Sequence, residues 1–141
     1  MLFQMFSIIK LSVFKDKVKE MIVDQGRCEL YSSSGNTLSV VDLKNARAAF
    51  LRQVECKNLK PNTMVLDEEM QMLYVGTCEG LLVIFDVSHV SDFVMVHYIK
   101  LTRPDSKNFI KQMDLDKTKN ILMCRMKSSD IICIQLIRSN V

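Results

Sequence analysis

The strongest constraint on this chain is that it repeats itself. Residues 71–87, QMLYVGTCEGLLVIFDV, align without a gap on residues 120–136, NILMCRMKSSDIICIQL, which puts Leu73 on Leu122, Gly80 on Ser129 and Val83 on Ile132. An earlier copy, LYSSSGNTLSVVDL at residues 30–43, matches with one residue of gap in its turn. Each copy follows an apolar stretch that ends in an aspartate, Asp24, Asp67 or Asp116, and these aspartates stand 43 and 49 residues apart. Self-similarity at such a spacing implies units that each fail to bury a face alone and stack on their neighbours.

Inside one unit the signals are those of strands. MLYVGT and LLVIFDV are short, rich in branched and aromatic side chains and bounded by turn residues. Cys78-Glu79-Gly80 separates them, Gly80 supplying the positive φ of a tight hairpin, and Gly35-Asn36 and Ser128-Ser129-Asp130 take its place in the other units. The middle unit therefore reads as strands at about 62–66, 72–77, 81–86 and 94–101, with Asp67 opening the first turn by accepting a backbone hydrogen bond. The fold class is all-β, with four-stranded antiparallel units. Only VDLKNARAAFLRQVE, residues 41–55, has a helical spacing of apolar residues, and it leaves an α/β enzyme as a minor alternative.

An apolar-x-Asp end, a leucine, small residues, a glycine hairpin, then an apolar run closing in Phe85-Asp86 or Val41-Asp42 resembles the blade of a WD-repeat β-propeller. The resemblance runs over about residues 18–137 and is best in VLDEEMQMLYVGTCEGLLVIFDV. The chain departs from the family in having no tryptophan and no glycine-histidine pair ahead of the first strand. The resemblance implies one domain of repeats over residues 1–141: an outer strand at 5–14, blades at 18–56 and 62–101, and three strands of a third blade at 110–137. Propellers close with about four to eight blades. Completion is thus expected from the rest of a longer propeller or from a second copy of the chain.

Little in the sequence carries chemistry. Four glycines leave no room for a phosphate loop, Ser32–Ser34 lack a nucleophile elbow, and Asp114 and Asp116 lack the rest of a calcium loop. Five cysteines with no CxxC pair speak against a disulfide framework and a zinc site, and Cys133, inside IICIQLI, is expected as a small buried hydrophobe. His89 and His97 read as surface or edge residues, and the ten methionines chiefly as core filling. Glu68-Glu69 beside Asp67 reads as a solvated turn. No metal, cofactor or catalytic residue is expected, and the chain is read as not an enzyme.

A net charge of +3 is far from the basic stripe of a nucleic-acid binder. Basic residues do collect in connections: Lys57 and Lys60 between the first two units, Arg103, Lys107 and Lys111 between the second and third. In propellers these connections and hairpins such as that of Glu79 emerge on one rim, so Lys57, Lys60, Glu79, Arg103, Lys107 and Lys111 are the candidate partner-binding residues. The expected partners are other protein chains. A lipid-directed trafficking adaptor using the same basic loops is the second reading. The apolar N-terminus lacks a basic start and a cleavage site, is broken by Lys10 and is too short to span a bilayer, so it is read as strand and the chain as cytoplasmic.

Overall fold

The structure, a computed structural model, describes residues 10–11, 14–44, 50–89, 92–103 and 107–137. Three antiparallel sheets account for the regular structure. Blade 1 contains β1 (Val18–Asp24), β2 (Glu29–Ser34), β3 (Thr37–Asp42) and β4 (Phe50–Glu55), and blade 2 contains β5 (Pro61–Asp67), β6 (Met72–Thr77), β7 (Leu81–Asp86) and β8 (Val94–Lys100). Blade 3 contains β9 (Ile110–Asp116), β10 (Ile121–Met126) and β11 (Ile131–Gln135). Strands pair in chain order in every sheet. Residues 50–55 of the sequence with helical spacing form β4, because pairing with β3 satisfies their backbone groups, and residues 45–49 lie outside the described residues. The strand expected at 5–14 lies mostly outside them too; Lys10, Leu11 and Phe14 are described and belong to no strand.

The repeat seen in the sequence is a repeat of backbone geometry. Cys28, Gln71 and Asn120, each four residues beyond its aspartate, take positive φ values of 54°, 52° and 55°. That conformation is uncommon without glycine. Each of the three then accepts, at its carbonyl, the amide just past its blade's third strand: Leu43, Val87 and Leu136 at 2.7–3.0 Å. The aspartates open the turns, with the carboxylate of Asp24 accepting the Arg27 amide, that of Asp67 the Met70 amide, and that of Asp116 the amides of Thr118 and Lys119. Gly35, Gly80 and Ser129 close the hairpins at φ of 59°, 76° and 73°. Gly80 is confined further, since a Cβ there would lie 2.0 Å from the Thr102 hydroxyl oxygen.

The middle strands explain why the repeat reads as unbroken apolar runs. Blade 2 is sandwiched, so β6 and β7 bury both faces and lose the in-out alternation of a one-sided sheet. One core joins Tyr31, Leu38 and Val40 of blade 1 to Met64, Leu66, Leu73, Val83 and Phe85 of blade 2. The second joins Tyr74, Leu82 and Ile84 to Ile110, Met113, Leu122 and Cys124 of blade 3. Inner strands approach closely there: a Cβ on Gly76 would stand 2.7 Å from Ile110 Cγ2, and the Asn62 side-chain amide donates to the Ile110 carbonyl at 2.9 Å. Met64, Met113 and Met126 are in the cores, whereas Met70 and Met95 are exposed.

β11 departs from the sequence expectation. Its residues alternate between exposed and half-buried, because only one of its faces has a blade to pack against. Cys133 lies on the open face and is exposed, contrary to the reading of it as a buried hydrophobe. Cys124, one strand away and facing blade 2, is the buried thiol.

Candidate interaction surfaces

One rim collects the hairpins between second and third strands and the connections between blades. In blade 2 the Cys78 amide donates to the Lys60 carbonyl at 2.9 Å, and the Lys60 amide donates to the Glu79 carboxylate at 2.8 Å. In blade 3 the Lys127 amide reaches the Phe109 carbonyl, and the Ser128 amide reaches the Asn108 side chain. In blade 1 the Ser34 hydroxyl donates to the Asp16 carbonyl at 2.8 Å. The outgoing connections lie on this rim as well, through Cys56 to Asn36 and Leu101 to Gly80. Lys57, Lys60, Glu79, Arg103 and Lys107 are thus brought to one rim, all exposed. Glu79 also staples its hairpin to the incoming strand. Lys111 stands apart: it is the second residue of β9, an exposed position on an inner strand and not in a connection.

The opposite end holds a cluster that the sequence did not single out. Arg52, on β4, has a side chain only 2% exposed. Its guanidinium donates to the Tyr31 hydroxyl at 2.7 Å and the Val87 carbonyl at 3.1 Å, contacts the His89 carbonyl, and pairs with Glu29 at 3.4 Å. It lies 5.7 Å from the Tyr31 ring centroid and 5.4 Å from that of Phe93. Arg27, from the first turn of blade 1, donates to the carbonyls of Val87 and Ser88 at 3.0 Å each. Two guanidinium groups of blade 1 therefore hold the segment after β7 of blade 2. Burial pushes the Tyr31 phenol above its usual pKa, with Arg52 pulling the other way. Nearby, hydrogen bonds from the Ser88 hydroxyl and amide hold the Asp86 carboxyl below its usual range. Nothing in the sequence sets Arg52 apart; its pairing with buried Val40 of β3 places it on the buried face.

The outer edge of blade 2 is the main exposed apolar surface among the described residues. On β8, Val94, Met95, Val96 and Tyr98 are all exposed, Tyr98 by 61%. His97 lies on the same strand, and His89 sits exposed 3.9 Å from Asp86. A groove of about 510 Å³ runs from β8 to β11 and is lined by Tyr74, Ile84, Val96, Ile99, Ile134 and Ile137 among others. Among the described residues no three His, Cys, Asp or Glu side chains are grouped to hold a metal ion, and no helix is long and apolar enough to cross a membrane.

No family model and no curated protein matches the sequence at a significant level. Solved structures do match the fold. The WD40 repeats of RRP9 superpose with a TM-score of 0.74 at 9% identity, covering 89% of this chain and 37% of that one. U3-55K gives 0.74 at 9% identity, covering 89% and 38%, and the C-terminal WD40 domain of Sif2 gives 0.69 at 10% identity, covering 88% and 35%. The chain spans little more than a third of the length of each. Its fold is that of three consecutive WD40 propeller blades, forming a partial, unclosed propeller.

Proposed function

We propose that this chain is a non-enzymatic protein-interaction module, a scaffold in which rigid blades present a rim and an outer edge to other protein chains. The carrying observation is β8. A strand with Val94, Met95, Val96 and Tyr98 all exposed, and with one backbone edge that pairs with no strand among the described residues, offers the two components of recognition by strand addition. The rim formed by Lys57, Lys60, Arg103 and Lys107 adds a positive field beside it, which suits partners with acidic segments. WD40 folds generally serve as interaction modules, which supports the same reading at the level of fold alone.

The test is photo-crosslinking in cells with a reactive amino acid placed at Val96 or Tyr98, and at exposed Lys117 as control. Discrete protein adducts from the β8 positions, absent from the control, are expected. Adducts equally abundant at all three positions, or none at β8, would overturn the assignment. Flotation with anionic vesicles addresses the lipid-adaptor reading; salt-sensitive flotation that depends on Lys57 and Lys60 would favour it over the β8 surface.

A further inference from the structure

We propose that the face of blade 1 turned away from blade 2 holds a binding site for an arginine side chain of a partner protein. That the arginine belongs to a partner rests on the reading of the chain as an interaction module. The site itself is read from the geometry of blade 1.

The starting point is a break in the repeat. Blades 2 and 3 rest on the blade before them through equivalent cross-strand pairs, Val75 with Val83 in blade 2 and Cys124 with Ile132 in blade 3. The same pair in blade 1 is Ser32 with Ser39. Their neighbours along the strands, Tyr31, Leu38 and Val40, pack on blade 2, so alternation turns the two serines to the opposite face. Pairing across three strands extends them into two polar rows, Ser32–Ser39–Gln53 and Ser34–Thr37–Glu55. Hydroxyls thus stand where the other blades place apolar contacts.

A cleft of about 330 Å³ lies over these rows, lined by every member except Ser32 and by Phe14, Lys15 and Asp16. It is far larger than the roughly 15 Å³ that one water needs. Its unused groups are mostly acceptors. The Asp16 carbonyl accepts the Ser34 hydroxyl at 2.8 Å, and its carboxylate lies 2.8 Å from where a Cβ of Gly35 would be, which fixes the residue against the hairpin. Glu55 accepts the Asn36 side-chain amide at 3.2 Å through Oε1 and keeps its other oxygen. Neither carboxylate has an ion-pair partner among the described residues, Lys15 included. Gln53 donates its amide to the Ser39 hydroxyl at 3.2 Å, which leaves its carbonyl oxygen, and Thr37 donates to Asn36 at 3.4 Å and keeps its lone pairs.

A second observation lies deeper. Ser32 is 1% exposed, and its hydroxyl oxygen has no hydrogen-bond partner. Buried polar groups without partners are rare. Ser32 shares the row of Ser39 and Gln53, both of which line the cleft, so it points to the same side of the sheet. The floor of a polar site accounts for it, whereas a packing face does not. Acceptors with two uncompensated carboxylates select a cation, and a guanidinium presents five N–H donors in one plane against three on an ammonium. Phe14 supplies an aromatic wall for the same group.

Titration of the isotopically labelled chain with N-acetyl-arginine amide, followed by amide chemical shifts, tests this. Saturable shifts are expected at Ser39, Gln53 and Glu55, with the uncharged citrulline counterpart binding about tenfold more weakly, the difference between charged and neutral hydrogen bonds. Glu55→Gln should weaken arginine by a similar factor. Ser39→Val, which installs the residue that blade 2 carries there, should remove the shifts without lowering the temperature of thermal unfolding. Equal affinity for arginine and citrulline, a lysine counterpart that binds as tightly, shifts that gather elsewhere, or no saturable shifts at all would each overturn the site. Adducts at β8 without arginine binding would sink this site and leave the interaction module standing; arginine binding with no adduct at β8 would do the reverse.

Discussion

Replacing Arg52 with methionine removes the buried one of several polar links between blades 1 and 2 while keeping much of the side-chain volume. The magnitude follows from what each partner loses. Val87 keeps the hydrogen bond from Arg27, so its carbonyl is not orphaned. The Tyr31 hydroxyl, deep in the first core, loses its 2.7 Å donor, and an unsatisfied buried group costs about 1–3 kcal/mol. Glu29 loses its cation in a partly buried site, and the two ring contacts are worth about 0.5–1 kcal/mol each. The sum is about 2–5 kcal/mol, which overlaps the range for breaking a buried charged pair. Urea denaturation followed by circular dichroism measures it, and Tyr31→Phe makes the cycle. That variant alone should cost about 1 kcal/mol, and in the Arg52→Met background much less, because the hydroxyl's partner has already gone. An Arg52→Met cost below about 1 kcal/mol, or strict additivity of the two changes, would refute the view that this guanidinium holds the blades together.

Gly76→Ala should destabilise by about 1–3 kcal/mol in the same assay, since the new methyl meets Ile110 Cγ2 at 2.7 Å across the boundary between blades and Thr63 Cγ2 at 2.9 Å on the paired strand β5; trimming Ile110 to valine should recover part of the loss. Burial pushes the Cys124 thiol up to about 11, so at pH 8 roughly one molecule in a thousand carries the thiolate. Timed alkylation read by mass spectrometry should therefore modify exposed Cys133 well before Cys124, and equal rates would contradict the packing of β10. The raised pKa of Tyr31 means that the folded state favours the neutral phenol: its stabilising effect is fully present below about pH 10 and is lost as pH rises through the folded value. The alkaline decline in stability should accordingly be shallower in Tyr31→Phe than in the parent chain.

Much of the fold was legible because its signals are local. Asp24, Asp67 and Asp116 announce turns through their own backbone hydrogen bonds, Gly35 and Gly80 through a φ that other residues adopt reluctantly, and the runs between them through strand-forming side chains. Two things misled. Cys133 carries the same apolar neighbours as a core residue, yet burial depends on whether another blade stands opposite, which the run IICIQLI cannot encode. Lys111 looks like loop charge until the start of β9 is fixed by its pairing with β10.

The sequence alone determined that three like units recur, that each is an antiparallel sheet, and where the hairpins fall, since all of this is settled by neighbours within a few residues. Only the tertiary structure decided that Arg52 is buried, that Glu79 clamps Lys60, that Gly76 must have no side chain, and that β8 and β11 are the outer strands of their sheets among the described residues. Those outcomes depend on how residues some 20 to 50 positions apart are stacked, and stacking is a property of the faces between blades rather than of any one stretch of chain.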